Sequence, residues 1–357
     1  MKSTLGRTKS LSLRKRSAAG CVKAQVRTCV VLILSTLSVL AAEKYQLRAR
    51  VDLVVVPTSV RDSKGNLIAG LTEKDFTIFE DGVQQTISNF SDDPQPLSAA
   101  IVVDSGMSGI AMRRLAPLFI AVTNGFSDFD EMASFRFDHF VVQLSDFTTD
   151  REKIEKSFDV FKTMAEKQPA QGNSGNGPSV PSVVRPDGTP KPATEMVPTI
   201  GSRRVAPSRV LSDAIYEAGQ ALQKRPDNRR RIIFIVSDGE NNPNVNEHNS
   251  QQVKDLLLRQ NIQLYAVSTD ENRLDRGFGT LGSLARETGG DAYRGLSMSS
   301  MEKAFARITE QARNQYVLGY HSSNEPKNGL QTVRMIEVRG RDPHWKIAHR
   351  KQYIQLP

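Results

Sequence analysis

Two carboxylates stand where this chain can hold a ligand. Asp104 closes the apolar run Ala99-Ala100-Ile101-Val102-Val103 and is followed at once by Ser105, Gly106, Met107 and Ser108. Asp238 closes Ile232-Ile233-Phe234-Ile235-Val236-Ser237 and is followed by Gly239 and Glu240. Hard oxygen donors of this kind suit Mg2+ or Ca2+. Covalent or acid-base catalysis has little to work with. The histidines are His139, His248, His321, His344 and His349, scattered along the chain, and no serine sits in a Gly-x-Ser-x-Gly elbow. Cys21 and Cys29 are the only cysteines, and both precede residue 43. The rest of the chain therefore has no disulfide and no thiol chemistry. The residues point away from an enzyme.

The elements that must position the two acids are legible from pattern. Ile101–Val103 and Ile232–Val236 are short, β-branched and apolar throughout, which predicts strands buried on both faces. A carboxylate at the carboxyl end of such a strand lies where open α/β sheets hold their ligands, and two neighbouring strands would share one crevice. Strands are also predicted at 133–137, 140–144 and 262–268, with a last one beginning at 291. Helices are predicted at 111–123, 150–164, 211–223, 246–260, 280–288 and 300–313, where apolar residues recur at helical spacing. Strands alternating with helices predict an α/β fold with a doubly wound, mostly parallel sheet.

At these residues the chain resembles the von Willebrand factor type A family, a Rossmann-like fold that binds a divalent cation at the top of its sheet in a metal-ion-dependent adhesion site. The resemblance implies a first motif Asp-x-Ser-x-Ser. Asp104 and Ser108 match its ends, while Gly106 stands where its first Ser belongs. Asp238 in Val-Ser-Asp-Gly matches the last element. The middle element, Gly-Thr-x-Leu-x-Asp-Ala, is matched by Ser208-Arg209-Val210-Leu211-Ser212-Asp213-Ala214, which puts Arg209 at the Thr position with Ser208 beside it. The implied metal set is Asp104, Ser108, Asp238 and Ser208, for Mg2+ (or Mn2+ or Ca2+), with Gly106 and Arg209 departing from the pattern. Two readings stay open. Ser208 takes the Thr role while Arg209 points to solvent, or the Arg209 fork pairs the two acids and repels a cation.

The formal charge of +9 resembles a nucleic-acid signal, but its location excludes one. Eight of the 48 Lys and Arg lie in residues 1–42 with no acid among them, so the remainder carries 40 against 39 Asp and Glu. That basic stretch precedes Cys29–Ala42, which is apolar and ends in small residues, as a secretory signal does; its length leaves an uncleaved anchor open. The Arg229-Arg230-Arg231 run reads as a strand flank, and the acidic Phe126–Glu131 stretch reads as a solvated loop without calcium-loop spacing.

The domain reading is a leader at 1–42, an N-terminal β unit at 43–96, the type A domain at 97–313 and a C-terminal β segment at 314–357. Residues 168–208 are rich in Pro, Gly and Ser without apolar periodicity, which predicts a disordered insertion. Asp81-Gly82 between two β-prone runs predicts a two-residue hairpin. The two terminal β segments are small, so they are expected to pair, making the type A domain an insert in a split β-sandwich-like unit. The whole arrangement resembles that of a bacterial, Acidobacteria-type group of exported proteins. It implies an exported (periplasmic, outer-envelope or secreted) adhesion or protein-interaction module with a protein ligand at the top face, no nucleic acid, and membrane contact only through an uncleaved leader. The alternative is a structural or scaffolding envelope protein with a vestigial, metal-free site.

Overall fold

The strand β5 (Leu97–Asp104) is buried at all eight positions. Its side chains divide by parity. Leu97, Ala99, Ile101 and Val103 enter one apolar cluster, and Ala100 and Val102 enter another. A strand covered on both faces needs a layer on each side. The structure, a computed structural model, describes residues 53–107, 115, 118–167, 183–184, 190–191, 209–268, 277–294, 298–326 and 329–357.

Ahead of β5 come β1 (Leu53–Arg61), β2 (Phe76–Glu80), β3 (Val83–Gln85) and β4 (Ile87–Ser91). After it come helix α1 (Leu118–Asn124), β6 (Glu131–Phe137), β7 (Val141–Thr148), and helices α2 (Arg151–Ser157) and α3 (Asp159–Lys167). The paired strands β8 (Val183–Val184) and β9 (Pro190–Lys191) precede α4 (Leu211–Gln223), β10 (Arg230–Val236), α5 (Ser250–Arg259) and β11 (Gln263–Ser268). Then follow α6 (Gly277–Glu287), β12 (Ala292–Arg294), α7 (Met298–Arg313), β13 (Tyr316–His321), β14 (Thr332–Gly340), β15 (Lys346–His349) and β16 (Gln352–Gln355).

The fold is α/β. Its sheet runs β12-β11-β10-β5-β6-β7, parallel at every pairing except β6 with β7. On one face Phe119, Ile154, Phe158, Phe161, Phe305 and Ile308 of α1, α2, α3 and α7 and their junctions fill the core, with the Phe119 and Phe158 rings stacked at 4.3 Å. On the other face lie Leu211, Ala214, Ile215, Ala218 and Leu222 of α4, Val253 and Leu257 of α5, and Leu281 and Ala285 of α6.

Strands from before and after this layer join in two further sheets, β15-β1-β13-β4 and β16-β14-β2-β3, which share one apolar cluster that includes Val56, Ile78, Leu318, Tyr320 and Val338. The hairpin between β2 and β3 turns on Asp81 at φ 49° and Gly82 at φ 83°, the left-handed pair that such a two-residue turn requires. The β strands are tied to the α/β layer by the backbone. Lys351 N–H donates to Glu287 O at 2.9 Å, and Gly289 lies so close to the β15–β16 connection that an added Cβ would fall 2.7 Å from Arg350 N.

Two local expectations, both of helix bounds, are corrected. The helix expected at 246–260 begins at Ser250, because Asn249 caps it reciprocally with Gln252 and the preceding residues are bound elsewhere. The helix expected at 150–164 is two, separated at Phe158, whose N–H bonds Glu155 and Lys156 carbonyls in a tightened turn. Within 168–208 the structure describes one antiparallel pair, β8 and β9, with β8 beside the edge strand β7; the rest lies outside the described residues. Val183-Val184 is β-branched, which suits a strand at that edge.

Candidate functional site

Val103 pairs with Val236 across parallel β5 and β10, so the chain leaves both strands at the same height. From this pair the fold winds outward in opposite directions, through β6 and β7 on one side and β11 and β12 on the other. That switch point is where a doubly wound sheet opens a crevice at its carboxyl edge. Asp104 and Asp238 line it, with Asp104 fully buried and Asp238 nearly so.

Arg209 lies between them. Its Nη1 donates to Asp104 Oδ2 at 2.8 Å and to Asp238 Oδ1 and Oδ2 at 3.0 and 2.9 Å. Its Nη2 donates to the Gly106 carbonyl and stands 3.6 Å from Glu240 Oε2. The backbone around Arg209 is clamped from two sides. Val210 N–H donates to Asp138 O in the β6–β7 turn at 3.1 Å, and Arg209 O accepts from Asn242 N–H at 3.0 Å. The acids are oriented in turn. Ser237 Oγ donates to Asp104 Oδ2 at 2.9 Å, Gly106 N–H to Asp104 Oδ1 at 3.0 Å, and Glu240 N–H to Asp238 Oδ1 at 3.0 Å. Burial pushes the Asp104 carboxyl up to about 7; Arg209 opposes the rise and the Asp238 carboxylate adds to it.

Of the metal set expected from sequence, Asp104 and Asp238 are brought together, while Ser108 and Ser208 lie outside the described residues. The described residues do not fit a divalent ion. A guanidinium already stands within hydrogen-bond distance of both carboxylates. Gly106 offers no hydroxyl, and a Cβ there would meet Arg209 Nε at 3.0 Å. No group of three or more His, Cys, Asp or Glu suited to a metal occurs among the described residues.

Sequence reading missed a second cluster beside the crevice. Asp213, in the first turn of α4, accepts Glu247 N–H at 2.9 Å, His248 N–H at 2.8 Å and pairs with His248 Nδ1 at 2.9 Å. The imidazole stacks on Tyr216 at 3.6 Å. Asn246 Oδ1 accepts Asp213 N–H, and Asn241 Nδ2 donates to Ser212 Oγ. Only the Asn-rich composition of 241–249 hinted at it, since such residues bond nearby backbone.

The remaining sequence features are structural. Arg229 donates to the Leu97 and Phe129 carbonyls, Arg230 to the carbonyls of Ala312 and Arg313 at the end of α7, and Arg231 to those of Gln260 and Arg225. The acidic loop is consumed likewise. Asp130 accepts Leu97 and Ser127 N–H and pairs with Arg313, and Glu131 pairs with Arg225 and Arg229. Trp345 is half-buried against the β-strand cluster.

No family model matches the chain, and no curated protein matches it. Among solved structures it is similar to the conserved hypothetical protein BatB from Bacteroides thetaiotaomicron, at 14% identity and a TM-score of 0.40, over 60% of this chain and 98% of that one. It is similar to the manganese-loaded TRAP protein of Plasmodium vivax, at 10% identity and a TM-score of 0.39, over 77% of this chain and 97% of that one. It is also similar to proximal thread matrix protein 1 from the mussel byssus with a zinc-occupied MIDAS motif, at 11% identity and a TM-score of 0.39, over 62% of this chain and 49% of that one. At these scores the likenesses bear on neither the residues of the crevice nor its ligand.

Proposed function

We propose that this chain is an exported protein-interaction module of the adhesion type, which meets its partner through the loops at the carboxyl edge of the parallel sheet. The observation that carries this reading is the crevice at the switch point between β5 and β10, with polar groups held in fixed orientation. Its charged groups are engaged with one another, which suits a rim that recognises a surface better than a pocket that turns over a substrate. The loop 239–249 forms part of that rim, anchored by Asn242 and by Asp213, and its Asn244 is exposed. The basic and apolar leader supports export.

A second reading, a scaffolding envelope protein contacting through its β strands, is favoured by one observation. Val333 and Met335, two apart on β14, are 51 and 53% exposed, and Leu330 before the strand is 63% exposed. A photo-crosslinking residue placed at Asn244 or at Val333, in producing cells, separates the two. A discrete protein adduct at Asn244, retained in chelator, supports the interaction module. Adducts at Val333 alone overturn it in favour of the scaffold. Intact mass of the protein from the envelope fraction tests the leader: loss of residues up to Ala41 or Ala42 is expected, and a full-length mass would mean an anchor.

A further inference from the structure

We infer that Arg209 is the resident cation of the crevice: its guanidinium replaces a divalent ion between Asp104 and Asp238, and Gly106 is the vacancy that lets it do so. This concerns the crevice itself and stands whether or not a partner docks on the rim.

The geometry carries the inference in three steps. First, two nearly buried carboxylates facing each other need a positive charge between them, because like charges at short range in a dry site are strongly disfavoured. Arg209 Nη1 supplies it within 3.0 Å of both acids. Second, the Arg209 side chain is 8% exposed and its guanidinium is held by four groups of its own chain: the two acids, the Gly106 carbonyl and, at 3.6 Å, Glu240. Its flanking backbone is bonded to the β6–β7 turn and to the loop after β10. A planar fork fixed in this way is a built part of the site, and Arg does not lose its charge. Third, the two departures from the metal-binding pattern explain each other. A Cβ at position 106 would stand 3.0 Å from Arg209 Nε and 3.4 Å from Cζ, so a serine there would crowd the guanidinium and force it to give by a few tenths of an ångström. A side chain at 106 and the guanidinium of Arg209 in its present place therefore compete for the same space.

Three measurements on the full chain test this. The first needs no variant. Calorimetric titration of the unaltered protein with Mn2+ or Mg2+ is expected to show no saturable binding. One ion bound per chain at micromolar affinity would overturn the inference. The second is a double-mutant cycle of Gly106→Ser and Arg209→Thr read by thermal unfolding. Gly106→Ser is expected to lower Tm in the native background and to cost little in the Arg209→Thr background, so the two effects should fail to add. Additive effects within about 1 °C would show that the two positions are independent, and would sink the claim of shared space. The third is Arg209→Ala, which strands two buried carboxylates and should lower Tm by roughly 10 °C. Millimolar Mn2+ should restore part of that loss by mass action, and more in the protein carrying both Gly106→Ser and Arg209→Thr. If Arg209→Ala does not fold, the first two measurements still decide. If it folds at native Tm without a metal response, the inference is wrong.

Discussion

Lowering the pH should unfold this protein in part through a single imidazole, His349. It lies at the end of β15 and is 2% exposed. Its Nδ1 faces the Arg350 carbonyl at 2.7 Å, so that nitrogen carries the proton and donates. Its Nε2 accepts Val338 N–H at 3.2 Å and the Lys351 ammonium at 3.1 Å. A second proton on Nε2 would set a donor against two donors, next to a positive charge, in a dry site. Burial first and Lys351 second therefore push the imidazole from 6.5 down to about 4. Because the folded value is the lower one, the unfolded chain takes up the proton first as pH falls. The stabilisation is whole above about 6.5, drains away between 6.5 and about 4, and changes no further below that. A shift of that size corresponds to about 3 kcal/mol. In a domain of this size that is roughly 6–10 °C in Tm.

The perturbation is His349→Gln, which offers an amide oxygen toward Val338 and Lys351 but cannot titrate. Tm and denaturant midpoints are measured for both proteins from pH 7.5 to 4. Titrations of the carboxylates are common to both and cancel in the difference. The unaltered protein should lose about 3 kcal/mol more than the variant across that window. Parallel curves, with the difference constant to within about 0.5 kcal/mol, would refute the assignment of His349 as a buried neutral acceptor.

Other outcomes follow from contacts within the α/β part of the fold. Gly290→Ala places a methyl against the Leu264 backbone, which cannot yield as a side chain can, so a loss of at least about 3 kcal/mol is expected in denaturant titration; native stability would show that the two segments separate freely. Arg230→Ala removes the buried donor that closes the last carbonyls of α7, and a loss of about 2–4 kcal/mol is expected, with faster amide exchange at residues 308–313. Unchanged exchange there would mean that α7 is held by its apolar face alone. Glu131→Gln breaks the pairs with Arg225 and Arg229 at the foot of the sheet and should cost about 1–3 kcal/mol, diminishing in high salt; a salt-independent loss would point to packing instead.

Much of the scaffold was written locally. The β-branched runs before Asp104 and Asp238, the amphipathic spacing of 211–223 and the Asp81-Gly82 turn are patterns whose physics acts over a few residues. Burial on both faces, a stripe on one face or a left-handed φ pair follows from such patterns without knowledge of the rest of the chain. The pairing of the two acids across neighbouring parallel strands was also legible, because each ends a strand of the same apolar kind. What the sequence left open was the occupant of the space between them. Arg209 could face solvent or the crevice, and nothing within a few residues of it decides which. The choice is made by residues 105 positions before it and 29 after it, by Asp138 and Asn242 holding its backbone, and by the missing side chain at Gly106. The same holds for Asp213, which ends up holding His248 beside the start of α5, and for His349, kept neutral by burial in the closed fold with its Nε2 accepting from Val338 on another strand. Local pattern selects strand and helix because their hydrogen bonds and their faces are local. Which charge meets which is set by distances that exist only after the sheet has closed, and there the tertiary structure alone decided.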